Sequence, residues 1–141
     1  MAKSFKVSIV TPEKTAFEAD SVSVILPGME GYLGIWANHA PLVTGLKPGV
    51  VTLRDQEGGR IRYLAVSGGF VEVSENKVSI LCDSCEPAGE IDLQRAKGAL
   101  ERARKRLLSH DREMDIERAQ QAAERAQARI HAAYLREGHR D

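Results

Sequence analysis

Residues 91–136, IDLQRAKGALERARKRLLSHDREMDIERAQQAAERAQARIHAAYLR, decide how the chain is to be read. Two apolar rows run through this stretch at helical spacing. The first is Leu93, Ala96, Leu100, Ala103 and Leu107; the second is Ile116, Ala119, Ala123, Ala126, Ile130 and Ala133. Both step by alternating threes and fours, which on a helix draws one narrow seam. The short polar segment Ser109-His110-Asp111-Arg112-Glu113 separates them, and no proline interrupts either row. The reading is an antiparallel pair of helices, over about residues 91–108 and 114–136, joined by a tight turn.

Arginines keep the same period. Arg95, Arg102 and Arg106 recur on the first helix; Arg118, Arg125, Arg129 and Arg136 recur on the second. At ~100° per residue each set falls in a stripe about 40° wide, displaced roughly 110–120° from its own seam. With the seams facing, both stripes lie on one broad side of the hairpin. Pairing Leu100 with Ala123 brings Arg95 towards Arg129 and Arg102 towards Arg125. Within the hairpin Asp92 is the clear acid on that side, and Arg125 and Arg129, four apart, repel. Such a patch suits phosphate or a row of carboxylates.

Composition limits the alternatives. The 141 residues are 43% apolar and 28% charged, with a formal net charge of zero. Residues 1–86 carry net −2 and residues 87–141 net +2, an organised rather than general basic excess, which argues against a bulk nucleic-acid binder. No apolar run approaches 18 residues, and Met1-Ala2-Lys3-Ser4-Phe5 does not read as a signal peptide.

The first 86 residues read as all β. Phe5, Val7 and Ile9 alternate with polar neighbours up to Thr11-Pro12. Further β-branched runs follow at 22–26, 50–53, 61–66, 70–73 and 78–81, separated by turn chemistry at Pro27-Gly28, Lys47-Pro48-Gly49, Glu57-Gly58-Gly59, Ser67-Gly68-Gly69 and Ser74-Glu75-Asn76. Ser67-Gly68-Gly69-Phe70 reads as a tight bend between two paired strands. The expected fold is an all-β N-terminal domain, a flattened sandwich or barrel over residues 1–86, followed by an all-α helical hairpin over 87–141. Cys85-Glu86-Pro87-Ala88-Gly89 reads as the linker.

The segment Gly31-Tyr32-Leu33-Gly34-Ile35-Trp36-Ala37-Asn38-His39-Ala40-Pro41-Leu42 reads as a loop, and it carries the chain's lone tryptophan. Together with Ser67-Gly68-Gly69-Phe70-Val71-Glu72-Val73 and the helical tail, it resembles the epsilon subunit of bacterial F-type rotary ATP synthases. Family members commonly read Gly-Glu-x-Gly-Ile-x-x-x-His-x-Pro-Leu there; this chain matches from Gly34 through Leu42 and has Tyr32 where the acid is usual. The resemblance spans essentially the whole chain. It implies a non-catalytic central-stalk (rotor) subunit whose partners are the gamma subunit, the c-ring and, when the helices extend, the catalytic alpha/beta hexamer. It also implies a peripheral location on the cytoplasmic face of the bacterial cell membrane, without insertion into it. Tyr32, Trp36, His39 and Pro41 are the expected partner-contact residues.

A second match lies in the tail, where Ile91-Asp92-Leu93-Gln94-Arg95-Ala96 fits the Ile/Leu-Asp-x-x-Arg-Ala motif that binds ATP in related subunits. The resemblance then implies a regulatory ATP site, with or without Mg, made of Glu86, Asp92, Arg95, Arg102, Arg125 and Arg129. Four of these are the arginines gathered by the hairpin geometry. No glycine-rich phosphate loop is present, so the site is expected to sense ATP rather than hydrolyse it. An inhibitory basic face of Arg118, Arg125, Arg129 and Arg136 is expected to meet acidic residues of the hexamer. A seam of alanines, each buried methyl contributing about 0.8 kcal/mol against ~1.5–3 for Leu or Ile, should hold only marginally against an ordering cost of ~1–2 kcal/mol per residue. Two other classes fit the sequence less well. A nucleic-acid-binding arm lacks interleaved aromatics, since only Tyr134 offers a ring in the hairpin. A thiol or metal protein would rest on Cys82-Asp83-Ser84-Cys85, a single pair without a nearby histidine; His110, His131 and His139 keep no ligand spacing.

Overall fold

The computed structural model describes residues 3–55, 59–109 and 113–138, with the backbone alone for 113–115. In chain order it forms β1 (Phe5–Val10), β2 (Thr15–Ser21), β3 (Ser23–Gly28), β4 (Gly31–Trp36), β5 (Leu42–Arg54), β6 (Ile61–Ser74), β7 (Lys77–Cys82) and β8 (Cys85–Pro87). A 3₁₀ turn (Ala88–Glu90) leads to α1 (Leu93–Ser109) and α2 (Glu113–Arg136). This is the expected β domain followed by a helical hairpin. The turn expected around residues 110–112, and residues 57 and 58 of the Glu57-Gly58-Gly59 turn, lie outside the described residues.

Strands run in the order β2-β1-β7-β6-β5-β3-β4, with β8 added to β6. The neighbours are antiparallel except β1 and β7, which are parallel. The ladder closes into two packed layers because its longest strands bend. The first half of β6 pairs with β8 through Leu64–Val66, and its second half pairs with β7 through Gly69–Ser74.

Ser67-Gly68-Gly69 therefore sits inside one strand and does not turn between two. Gly68 and Gly69 have φ of 98° and 143°, and a Cβ on Gly69 would strike the Leu81 carbonyl. Only glycine lets the two backbones approach while the strand changes direction. Lys47-Pro48-Gly49, also read as a turn, likewise lies within β5. The turn that does reverse the chain is Glu75-Asn76 between β6 and β7, where both residues have positive φ (51° and 59°), as a two-residue hairpin of type I′ requires.

Three further strands depart from the sequence reading. β2 pairs with β1 alone at the sheet edge, so its residues TAFEADS are mostly half-buried or exposed, with Phe17 packed against the core, and alternate weakly. β4 occupies the segment read as a loop; Ile35 points inward while Tyr32 and Trp36 point out. β8 occupies the supposed linker, pairing Ala65 with Glu86 and Val66 with Cys85.

Inward-facing branched residues fill the sandwich: Val7, Ile9, Val24, Leu26, Leu53, Leu64, Val71 and Ile80 are essentially inaccessible. The hairpin docks on the outer face of one layer. Ala128 and Ala132 of α2 pack with Val50, Ala65 and Ala88, with Tyr63, Ile91 and Leu135 around them.

Candidate functional site

The position of the site follows from how α2 is striped. Its seam towards α1 carries the buried Ala119, Ala123, Ala126 and Ala133. A second apolar row, Ala128, Ala132 and Leu135, faces the sandwich. At ~100° per residue the two rows lie on roughly opposite sides of the helix, with the arginine stripe between them. Arg125 and Arg129 therefore emerge along the line where α1, α2 and the sandwich meet.

A cavity of about 550 Å³ opens there. Its walls are Ser67 and Cys85 from the sandwich, Ala99 from α1, and Ala122 and Ala126 from α2; Glu86, Arg125 and Arg129 supply its charge. The small side chains leave the room that the charged ones surround. Arg129 Nε donates to Glu86 Oε1 at 2.7 Å, with a longer contact of 3.5 Å from Nη2 to Oε2. Both side chains are partly buried, 27% and 33% exposed. Among the described residues no carboxylate is ion-paired with Arg125. The cavity thus holds one neutralised guanidinium and, four residues away, one with no ion-paired carboxylate among the described residues, so its lining is net positive.

The other expected site residues are placed beside this cavity rather than in its wall. Asp92 caps α1: its Oδ1 accepts the Arg95 N–H at 3.1 Å, and its carbonyl accepts the Ala96 N–H. The cap explains why α1 begins at Leu93, two residues after the expected start. Arg95 and Arg102 flank Ala99 by four and three positions, so both share its side of α1. Arg102 turns its guanidinium back towards Gly98, 3.3 Å from where a Cβ there would sit. Glu86, Arg125 and Arg129 are thus brought together, while Asp92, Arg95 and Arg102 stand exposed on α1. The hairpin's arginine side is not neutralised solely by its own acid, since Glu86 reaches it from the sandwich.

The expected inhibitory row is divided by the docking of α2. Arg118 and Arg125 are exposed, Arg129 is engaged with Glu86, and Arg136 lies over Gly89 with Nε 3.1 Å from a Cβ built there. The expected contact loop is divided too. Tyr32 and Trp36 stand on the outward side of β4, 55% and 61% exposed, and Tyr32 Oη accepts the Val50 N–H at 3.2 Å. His39 and Pro41 lie in the exposed crossing to β5, where His39 Nδ1 meets the Ala40 carbonyl at 2.6 Å. Asn38 N–H donates to Asn76 Oδ1 at 2.7 Å, and Asn76 Nδ2 donates to the Ser4 carbonyl, tying that crossing to the β6–β7 turn and β1.

Sequence reasoning missed the second α2 row, although Ala128, Ala132 and Leu135 keep a four-three spacing of their own. It also missed an outward apolar group on the other layer, where Phe70 and Leu81 stand opposite one another on β6 and β7 and are 63% and 53% exposed. The two cysteines are free thiols. Burial pushes Cys82 up to about 11, aided by Asp83, and Cys85 up to about 12, aided by Cys82, Glu86 and Glu90. Both are poor nucleophiles and poor metal ligands near neutral pH, because the thiolate is the reactive form.

The architecture is a β-sandwich bearing a docked helical hairpin, with two arginines of α2 at the junction. Comparison with known proteins agrees. The family model "ATP synthase, Delta/Epsilon chain, beta-sandwich domain" matches residues 4–88, and "ATP synthase, Delta/Epsilon chain, long alpha-helix domain" matches residues 90–133. The ATP synthase epsilon chain of Desulforamulus reducens is 49% identical over 114 residues, covering 81% of this chain and 85% of its own. That of Moorella thermoacetica is 48% identical over 104 residues, covering 74% and 77%. Among solved structures, a chain of the Euglena gracilis mitochondrial ATP synthase superposes with a TM-score of 0.80 at 25% identity, covering 94% of this chain and 81% of that one. A chain of the Tetrahymena thermophila mitochondrial ATP synthase central stalk and c-ring shares the fold, with a TM-score of 0.59 at 16% identity, over 91% and 95% of the two chains. The chain belongs to the ATP synthase delta/epsilon family. Its role is that of a non-catalytic rotor subunit, a peripheral component of the complex, and no described helix is long and apolar enough to cross a membrane.

Proposed function

We propose that this rotor subunit senses ATP through its helical hairpin while its sandwich transmits rotation. The sandwich joins the gamma subunit to the c-ring, on the cytoplasmic face of the bacterial cell membrane. The hairpin adds a brake. Folded down, it lies on the sandwich; released, it extends towards the alpha/beta hexamer, where Arg118, Arg125, Arg129 and Arg136 meet acidic side chains and resist hydrolytic rotation.

The observation that carries the sensing half is the crevice in which Arg125 and Arg129 of α2 face Ala99 of α1 across a gap of about 550 Å³. A triphosphate, free or with Mg, placed there reaches Arg125 and Arg129 directly and Arg95 and Arg102 from the neighbouring helix. The Asp92 end of α1 and the Glu86 strand are left for the nucleoside. Such a ligand ties α1, α2 and the sandwich together. At ten to a hundred times its dissociation constant it stabilises the folded posture by about 1.4–2.7 kcal/mol, enough to decide between two balanced states.

Titration calorimetry with ATP on the full chain tests the reading. Saturable binding below about 10 mM is expected, with Arg125→Ala weakening it tenfold or more, the weight of one charge-assisted contact at about 1.4 kcal/mol per decade. Absence of saturation in that range, or an Arg125→Ala titration that overlays the parent, removes ATP sensing and leaves the rotor role untouched.

A further inference from the structure

We propose that Tyr32, expected to meet a stalk partner, also couples the outward face of β4 to the docking of α2, by holding the strand on which the hairpin rests. This goes beyond the brake proposed above. It gives the hairpin an input from the edge of the sandwich, and its test needs neither nucleotide nor partner.

The outer face of one layer carries both features. Val51 and Leu53 of β5 belong to the core, so Val50 and Thr52 point outward. Val50 is 1% exposed in the cluster it forms with Ala65 and with Ala128 and Ala132 of α2. On β4, at the edge of the same layer, Ile35 points inward while Tyr32 and Trp36 point out and are more than half exposed. The hairpin seat and the aromatic pair therefore share one face.

Between them the sheet is irregular. β3 and β5 pair at Ile25–Thr52 and again at Gly28–Leu46, so residues 47–51 of β5 stand opposite only residues 26 and 27 of β3. β5 bulges there, and a side chain serves its backbone: the Val50 N–H donates to Tyr32 Oη at 3.2 Å. Gly49 leaves room for that hydroxyl, since a Cβ there would lie 2.9 Å from Tyr32 Oη and 2.6 Å from Pro27 Cβ. A buried amide must keep a partner, so Tyr32 fixes the bulge and the bulge sets where Val50 stands.

Alanine makes the seat sensitive to that position. Ala128 and Ala132 have no rotatable side chain with which to follow Val50, and a gap of ~0.5–1 Å forfeits a quarter to a half of each contact. Without the hydroxyl the bulge relaxes, Val50 shifts in its seat, and α2 leaves more readily. The helix, docked or released, is the two-state element on which both ends act. The linkage runs both ways: a partner that draws Tyr32 from Val50 loosens the hairpin, and a docked hairpin holds Tyr32 in place.

Native-state hydrogen exchange on the full chain tests the proposal with two variants. Tyr32→Phe removes only the hydroxyl; Trp36→Phe trims the neighbouring aromatic on the same face and leaves Tyr32 intact. In Tyr32→Phe the Val50 amide should exchange about fivefold faster, the weight of one hydrogen bond. Amides of residues 125–133 should exchange about threefold faster. Core amides such as Val71 and Ile80 should match the parent, and Trp36→Phe should match it throughout α2. Faster exchange at Val50 with α2 unchanged confines Tyr32 to its own strand and overturns the coupling. An equal rise at Val71 and Ile80 overturns it by showing general loosening. An α2 effect of the same size in Trp36→Phe does so by assigning the change to lost apolar cover. An unchanged Val50 amide removes the tie itself, and the coupling with it.

Discussion

The two halves of the molecule bury different side chains. The largest fully enclosed residues are all in the sandwich, among them Ile9, Leu26, Ile35, Leu53, Leu64 and Ile80. In α1 and α2 every buried described residue is alanine: Ala96, Ala103, Ala119, Ala123, Ala126, Ala128, Ala132 and Ala133. A buried Leu or Ile contributes about 1.5–3 kcal/mol, a buried methyl about 0.8. Both halves lose similar backbone entropy per residue, so the sandwich has a wide margin and the hairpin a narrow one. On the function proposed above the same contrast separates the tasks: a part that transmits torque must not yield, and a part that switches must be releasable by a ligand.

The largest test of this contrast falls on the sandwich. Leu53→Ala empties a site with 0% exposure and should cost about 2–5 kcal/mol. At 4–8 °C per kcal/mol for a domain of this size, the melting temperature should fall on the order of 10–30 °C in scanning calorimetry. A fall of only a few degrees would mean that the sandwich is no better anchored than the hairpin, and the division of labour would lose its basis.

How much of this was legible in the sequence depends on range. The α1 and α2 seams were legible because alanines at three-four spacing repeat locally. The second α2 row was present in the same letters but hidden, since alanine is also what any exposed helix favours. Strand β2 was hard to read for a physical reason: an edge strand is only partly buried, and in TAFEADS the alternation of Phe17 and Ala19 with Glu18 and Asp20 is short and weakly apolar. Gly68-Gly69 misled because a turn and a bend within a strand ask for the same residue, and only the Leu81 carbonyl across the sheet separates them. Of the site, periodicity predicted that Arg125 and Arg129 share a face. The Glu86–Arg129 contact spans 43 positions and depends on how α2 rolls against β8, which spacing on one helix does not encode.

A smaller effect is expected where the halves meet. Ala132 has 0% exposure between α2 and the outer face of the sandwich. Ala132→Glu places a charge there with no partner, and α2 should swing away rather than bury it. Limited trypsin digestion should then cut within residues 118–136 several times faster, while the sandwich melts within about 3 °C of the parent. Coincident loss of both halves would show one cooperative unit in place of two.

The finest distinction concerns Asp92, which the motif reading assigns to the nucleotide and the structure assigns to the start of α1. Its Oδ1 accepts the Arg95 N–H at 3.1 Å, the contact of an N-terminal cap. Asparagine caps nearly as well as aspartate, whereas alanine cannot, so the two substitutions separate the roles. Asp92→Ala should destabilise α1 by about 1 kcal/mol, read as faster amide exchange in its first turn, and Asp92→Asn should not. If Asp92 also meets the nucleotide through its charge, Asp92→Asn weakens ATP binding with α1 unchanged. If Asp92 acts only as a cap, Asp92→Asn binds like the parent, and any loss in Asp92→Ala tracks the fraying that misplaces Arg95. An exposed single hydrogen bond is then enough to set how well the weaker half of the molecule presents its arginines.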